Sequence, residues 1–329
     1  MRRRDFITII GSAAGLPLTA RAQKPMPVIG YLGSGFLSAS DGSGGNHTVD
    51  AFRSGLKEMG FVEGRNVAIE FRFAENRPER LPELVADLIR RRVAVICTAS
   101  NVGALAVKRM TSEIPLVFVV GLDPVLIGLV TTINRPGGNA TGVSFLTSSL
   151  EPKRLELVRV LLPQAELVAA LVNPDNPNAE DHIKDLQAAT RTFGLQLQVF
   201  KIREVADFEA TFASVVQQRV GAVLVTSDPL FDSNRLRVVE LAARNAIPTM
   251  YPWRDFVDAG GLLSYGNSLN DAVRQVGLYA GRILKGDKAG DLPVWVPTKF
   301  EFVLNLRTAK TLGLDIPAKL LALADEVIE

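Results

Sequence analysis

Short apolar runs alternate along the chain with stretches whose apolar residues recur every three or four positions, which predicts strands interleaved with helices. VIGYLG, Val28 to Gly33, reads as a buried strand. After a Ser- and Gly-rich loop from Phe36 to Gly45, the spacing of Val49, Phe52, Leu56 and Met59 predicts a helix. NVAIEFRF, VAVIC and IPLVFVV predict three more strands, separated by helices that present Leu81, Leu84 and Leu88 and then span Val102 to Met110. The series then restarts. Helices marked by Leu155, Val158 and Leu162, by Ile183, Leu186 and Phe193, by Phe208, Phe212 and Val215, and by Leu236, Val239 and Ala243 alternate with LVAALV, LQLQVF, GAVLV and IPTMY. Strands alternating with helices able to cover both faces imply a mostly parallel wound sheet, and two such series imply two doubly wound α/β lobes.

The joints are read from turn chemistry. RPGGNATG, Arg135 to Gly142, precedes a first crossing between lobes, and GGLLSYG, Gly260 to Gly266, precedes a second. The helix of Val273, Val276, Ala280 and Ile283 then rejoins the first lobe, and the region around Pro293 and Pro297 supplies a third crossing. The expected division is 27–145 plus about 267–292 for lobe 1, and about 146–266 plus 293–329 for lobe 2. Multiple crossings make a multi-strand hinge around a cleft. A length of 329 residues suits two cores better than one.

The first 22 residues change how the rest is read. Arg3 and Arg4 precede an uncharged stretch, Phe6 to Ala20, that ends in Ala20-Arg21-Ala22. A cationic start, a short apolar middle and a small-x-small site make an export signal with cleavage after Ala22. The paired arginines before Asp5 and Phe6 resemble a twin-arginine signal, which places the mature chain in the periplasm. The apolar stretch is too short and too interrupted by Gly11, Gly15 and Pro17 to anchor in a bilayer, and no later apolar run spans one. The formal charge of +2 includes four arginines and one aspartate of that segment, so the remainder carries about −1. That balance gives no broad electrostatic case for nucleic acid. Arg90 to Arg92 read as a solvated helix end, and the lone Cys97, inside an apolar run, as a small buried hydrophobe.

In parallel sheets the ligand crevice lies beyond the carboxyl ends of the strands. The informative residues are therefore those that follow the apolar runs: Gly33 and Ser34, then Thr98, Ala99, Ser100 and Asn101, then Gly121 and Asp123. In the second series they are Asn173, Asp175 and Asn176, then Ser227 and Asp228, then Tyr251, with Tyr265 in a connection. Ser100 at a helix start can cap it while first-turn amides receive a carboxylate. Asp228 can attract an ammonium group or start a turn, and Tyr251 and Tyr265 can flank an apolar ligand or pack in the core or hinge. Phe36 is a weaker pocket candidate.

Concentrated reactive chemistry is missing. His47 and His182 are the only histidines, without metal-spaced cysteines, and both read as solvated or capping residues, so no metal is expected. No G-x-S-x-G elbow, G-x-G-x-x-G loop or G-K-[ST] phosphate loop occurs, and no cofactor is expected. The alternatives are a secreted α/β hydrolase or oxidoreductase acting on a small molecule, and a sugar-sensing regulator. The regulator requires a DNA-binding helical domain before Val28, where only the export segment and a few residues stand.

From end to end the chain resembles the ABC transporter substrate-binding proteins of the TrpX-like family, which have the type I periplasmic binding protein fold. The matching stretches include VIGYLG, AFRSGLKEMGFVEGRNVAIEFRFAENRPERLPELVADLI, IPLVFVVGLDPVLIGLV, RPGGNATG, KRLELVRVLLP, NPDNPNA, SDPLF, AGGLLSYG, RILKGDKAGDLPVWVPTKFEFVLNLRTAKTLGLDIP and ADEVI. The resemblance implies a non-enzymatic protein that captures a small solute between its lobes. It would hand that solute to an inner-membrane permease powered by a cytoplasmic ATPase, with amino acids, aromatic ones included, as one ligand class. Carrying the family's cleft pattern onto this chain selects Ser34, Thr98, Ser100, Asn173, Asp228 and Tyr265, with Gly33, Ala99 and Tyr251 close by. The Ser- and Gly-rich first loop, FLSASDGSGGNH, departs from that pattern, and the absence of a cysteine near the cleavage site argues against a lipid anchor.

Overall fold

In the computed structural model residues 26–35 and 47–329 are described, and the alternation of strands and helices runs through them. The expected export segment, residues 1–22, and Phe36 lie outside the described residues. The first series comprises β1 (Val28–Gly33), α1 (His47–Glu58), β2 (Ala68–Phe73), α2 (Leu81–Arg90), β3 (Val95–Thr98), α3 (Asn101–Met110), β4 (Leu116–Val120) and β5 (Ala140–Ser144). Its five strands form one parallel sheet in the order β2-β1-β3-β4-β5. The continuous apolar runs of β3 and β4 are buried at every residue, as a sheet covered on both faces requires. Alternate residues serve opposite layers: Ile96, Leu116 and Phe118 join one cluster, whereas Val95, Cys97 and Val117 join another. Cys97 is wholly buried, and burial pushes its thiol far above the usual range, so it packs as a hydrophobe.

The second series comprises α4 (Glu151–Leu161), β6 (Leu167–Val172), α5 (Ala179–Phe193), β7 (Gln196–Lys201), α6 (Asp207–Gln217), β8 (Ala222–Val225), α7 (Pro229–Ser233), α8 (Arg235–Arg244), β9 (Thr249–Tyr251), α9 (Arg254–Asp258) and β10 (Leu263–Gly266). It is followed by α10 (Leu269–Leu284), β11 (Glu301–Asn305), α11 (Leu306–Thr311), α12 (Ala318–Leu323) and β12 (Glu326–Ile328). The second sheet has the order β12-β11-β10-β9-β8-β6-β7. Its pairs are parallel except β10 with β11, the point at which the chain re-enters from the other lobe. On α8 the buried residues are Val238, Val239, Leu241 and Ala242, and the expected Leu236 is on the outer face.

The helix α10 lies against α1 of the first lobe and buries Val273, Val276, Ala280 and Ile283. Gly55 and Gly277 meet at that crossing, where a Cβ on Gly277 would strike the Phe52 carbonyl oxygen, so the helices approach along their backbones. The chain crosses between lobes after β5, after β10 and again before β11. Trp295 pairs with Val143 of β5, its N–H donating to the Gly142 carbonyl at 2.8 Å. The chain leaves β5 after Trp295 and enters the second sheet at β11.

A buried ion pair braces the hinge. Arg154 and Glu151 on α4 are both fully buried and 2.9 Å apart, and Arg154 Nε donates to the Tyr265 carbonyl of β10 at 2.8 Å. This ties the element after the first crossing to the strand before the second.

Candidate functional site

Each sheet reverses its strand order once, between β1 and β3 in the first and between β6 and β8 in the second. Loops leaving neighbouring strands diverge at such points and open a crevice. The two crevices face one another across a cleft of about 750 Å3, counted with its open mouth. Ser34 follows β1, and Ala99, Ser100 and Asn101 follow β3; Asn173, Asp175, Asn176 and Asn178 follow β6, and Ser227, Asp228 and Asp232 follow β8. Phe145, Thr147 and Leu269 close its hinge side.

The lobes touch across this space. Asn101 Nδ2 donates to Asn176 Oδ1 at 3.1 Å and to Asn178 Oδ1 at 3.4 Å, while Asn101 Oδ1 accepts from the Gly121 N–H at 2.9 Å. Gly35 approaches Ser233 of the opposite lobe so closely that a Cβ there would meet Ser233 Oγ. The arrangement is closed.

Of the nine residues selected from the sequence, five line the cleft: Ser34, Ala99, Ser100, Asn173 and Asp228. Gly33, Thr98, Tyr251 and Tyr265 do not line it. The division has a simple cause. All four absent residues belong to strands, where Thr98, Tyr251 and Tyr265 direct their side chains to the sheet's faces and Gly33 has none, whereas the five present lie beyond the strand ends. Tyr251 stacks on Phe256 with centroids 4.9 Å apart, and Tyr265 stacks on Phe300 at 5.9 Å. Asp175, Asn176, Ser227, Asn101 and Gly121 also border the space, but Asp123 instead caps its own turn through the Val125 N–H at 2.8 Å.

Ser100 is the N-cap of α3, its Oγ accepting from the Gly103 N–H at 3.1 Å. Asp228 caps α7 through the Leu230 N–H at 2.7 Å. Its oxygens also accept from Asn173 Nδ2 at 3.1 Å and Asn176 Nδ2 at 2.6 Å. Burial pushes the Asp228 carboxyl above the usual range, partly offset by those donors.

Sequence reasoning missed three further residues, Asn76, Asp232 and Trp253, which join Ser34 in a second set. Ser34 Oγ, Asn76 Nδ2, Asp232 Oδ1 and Trp253 Nε1 are buried polar atoms without a hydrogen-bond partner among the described residues, and all four residues line the cleft. Burial, then the negative Asp228 and Asp255, hold the Asp232 carboxyl well above the usual carboxylate range. The Trp253 indole, close by but outside hydrogen-bond geometry, and Arg235 pull the other way. Trp253 also packs on Phe145 from the opposite side of the cleft, centroids 5.2 Å apart. The position of Trp253, just past β9, was a usable signal.

His182 is a correction. Expected to be solvated or capping, it is 1 % exposed on α5, because Ala179, His182, Leu186 and Ala189 form that helix's buried stripe. Its Nδ1 donates to Glu151 Oε1 at 2.7 Å, and its Nε2 accepts from Asn178 Nδ2 at 3.0 Å. Asn178 Nδ2 also donates to Thr147 Oγ1 at 3.0 Å, so a buried chain of hydrogen bonds runs from the cleft wall to the hinge ion pair. Burial pushes Glu151 up, but the Arg154 guanidinium and His182 outweigh it and leave the carboxyl below its ordinary value.

A sequence profile described as ABC transporter substrate binding protein matches residues 39–328. The chain belongs to that family. Such proteins bind a small-molecule substrate and deliver it to a membrane permease; they are binding proteins, not enzymes, and work outside the cytoplasmic membrane. No helix among the described residues is long and apolar enough to cross a membrane. A relative named tyrosine-binding protein, from Clostridioides difficile strain R20291, is 26% identical over 263 residues, covering 80% of this chain and 75% of its own length. Among solved structures, a conserved domain protein of Vibrio cholerae is 23% identical with a TM-score of 0.82, covering 92% of this chain and 99% of its own. An ABC domain from Streptococcus pneumonia in complex with L-Trp is 24% identical with a TM-score of 0.80 and the same coverage. The fold is therefore that of type I periplasmic binding proteins, two α/β lobes around a cleft.

Proposed function

We propose that this substrate-binding protein captures a free amino acid, aromatic ones included, in the cleft and releases it to an inner-membrane permease with a cytoplasmic ATPase. The observation that carries the reading is the set of buried, unpartnered polar atoms in the cleft, which offers donors at Asn76 and Trp253, a hydroxyl at Ser34 and a carboxyl at Asp232. An amino acid brings the complementary pair of charges. Its carboxylate suits the first turn of α3 beside Ser100 and Ala99, with Ser34 and Asn76 on the same lobe. Its side chain has Phe145, Trp253, Val119 and Leu230 as apolar neighbours. The name of the tyrosine-binding relative points the same way.

Closure of the two lobes around the hinge would bury the ligand with no covalent step, and the ligand would favour the closed state by binding it better than the open one. The opening segment with Arg3 and Arg4 directs export by the twin-arginine route and is removed after Ala22, leaving the mature protein in the periplasm. Isothermal titration of the purified mature chain against the common L-amino acids, with sugars and organic acids alongside, checks the ligand class. Saturable heat from one or a few amino acids is expected. Silence across all amino acids with a response to another solute class would refute the assignment.

A further inference from the structure

We propose that Asp232 is the residue that reads the ligand's amino group, so that the cleft selects solutes carrying a cationic nitrogen over the same solutes without one. This rests on the reading of the cleft as an amino-acid site. The sequence suggested Asp228 for that role, but the geometry divides the two carboxylates sharply. Asp228 spends its oxygens on three donors of its own lobe, which cap α7 and fasten the loop after β6 to the loop after β8. Turning it toward a ligand would release all three.

Asp232, four residues on, has no such commitment. Its Oδ1 is buried at the cleft surface without a hydrogen-bond partner, and it forms no ion pair among the described residues. A buried acceptor left unmade is costly, and a buried charge without a partner more so. Close beside it the Trp253 indole N–H is equally unpartnered in a residue only 3 % exposed. Across the cleft, Ser34 is 8 % exposed with a free Oγ. An acceptor on one wall and hydroxyl and amide donors on the facing lobe at Ser34 and Asn76 fit the two ends of a zwitterion. Burial holds the Asp232 carboxyl well above the usual range, so it is the group whose charge an arriving ammonium would restore.

The test compares ligands with and without the amine. Wild type, Asp232→Asn and Asp232→Glu are titrated with L-tyrosine and L-leucine and with their deaminated counterparts, 3-(4-hydroxyphenyl)propionate and 4-methylpentanoate. Wild type is expected to prefer the amino acid by about 100-fold or more, as for a buried charge pair that loses one partner. Asp232→Asn should cut that preference below about tenfold, and Asp232→Glu, which keeps the charge, should retain a larger share of it. If wild type binds an amino acid and Asp232→Asn keeps the full preference, the assignment of Asp232 is wrong while the amino-acid reading stands. If wild type binds the deaminated acids as tightly as their amino-acid parents, the cleft does not read the amino group, and the amino-acid reading fails together with this assignment.

Discussion

Asp228 and Asp232 lie one helical turn apart and border the same cleft, and burial pushes both carboxyls upward, yet their hydrogen bonding is opposite. Asp228 is embedded in a complete set of donors from Asn173, Asn176 and Leu230. Asp232 has a buried oxygen that none of the described residues satisfies. The contrast separates two uses of a carboxylate. A satisfied one builds the site, and an unsatisfied one is held ready for a ligand. Glu151 gives a third case, a carboxylate paired with a buried guanidinium and hydrogen-bonded to His182.

These cases separate on mutation, the largest effect first. Glu151→Ala leaves Arg154 buried without its counter-charge and should cost about 3–5 kcal/mol of stability, read from denaturant midpoints. Because the folded state holds the Glu151 carboxyl below its ordinary value, its contribution is complete above the usual glutamate range and fades as the pH falls through and below about 4.3. Glu151→Gln should flatten that acid limb; an unchanged limb would mean the pair adds nothing to folding.

The two cleft aspartates should then move in opposite directions in the ligand-free protein. Asp228→Ala strands three donors and should lose about 1–3 kcal/mol. Asp232→Asn removes a carboxyl whose ionisation the fold resists and should gain up to about 1 kcal/mol at neutral pH. The sign follows from linkage: a carboxyl held above its unfolded value costs the folded state stability as the pH rises past that unfolded value, and the amide escapes this cost. Parallel thermal melts of the two variants read the comparison, and a shared sign would break it.

How much of this was legible in the chain divides along the same physical line. The apolar periods gave both sheets, because buried parallel strands have to be continuous apolar runs and their covering helices have to show one apolar stripe. The rule that ligands meet residues beyond strand ends placed Ser34, Ala99, Ser100, Asn173 and Asp228 at the cleft. Gly33, Thr98, Tyr251 and Tyr265, the final or interior residues of strands, do not border that space. Trp253, just past β9, was within reach of the same rule, whereas Asp232 and Phe145 were not legible, since their role depends on which side chains each meets in the folded chain. His182 was hidden differently: a lone histidine reads as polar, and only its place on the Ala179, Leu186 and Ala189 stripe marks it as buried.

The most direct measurement is a crystal structure of the mature protein with an amino acid that titration shows to bind. The expected result puts the ligand nitrogen at about 3 Å from Asp232, its carboxylate toward the start of α3, and Asp228 still joined to Asn173, Asn176 and Leu230. A ligand nitrogen on Asp228 in place of those partners, or a ligand bound outside the cleft, would contradict the division of labour between the two aspartates.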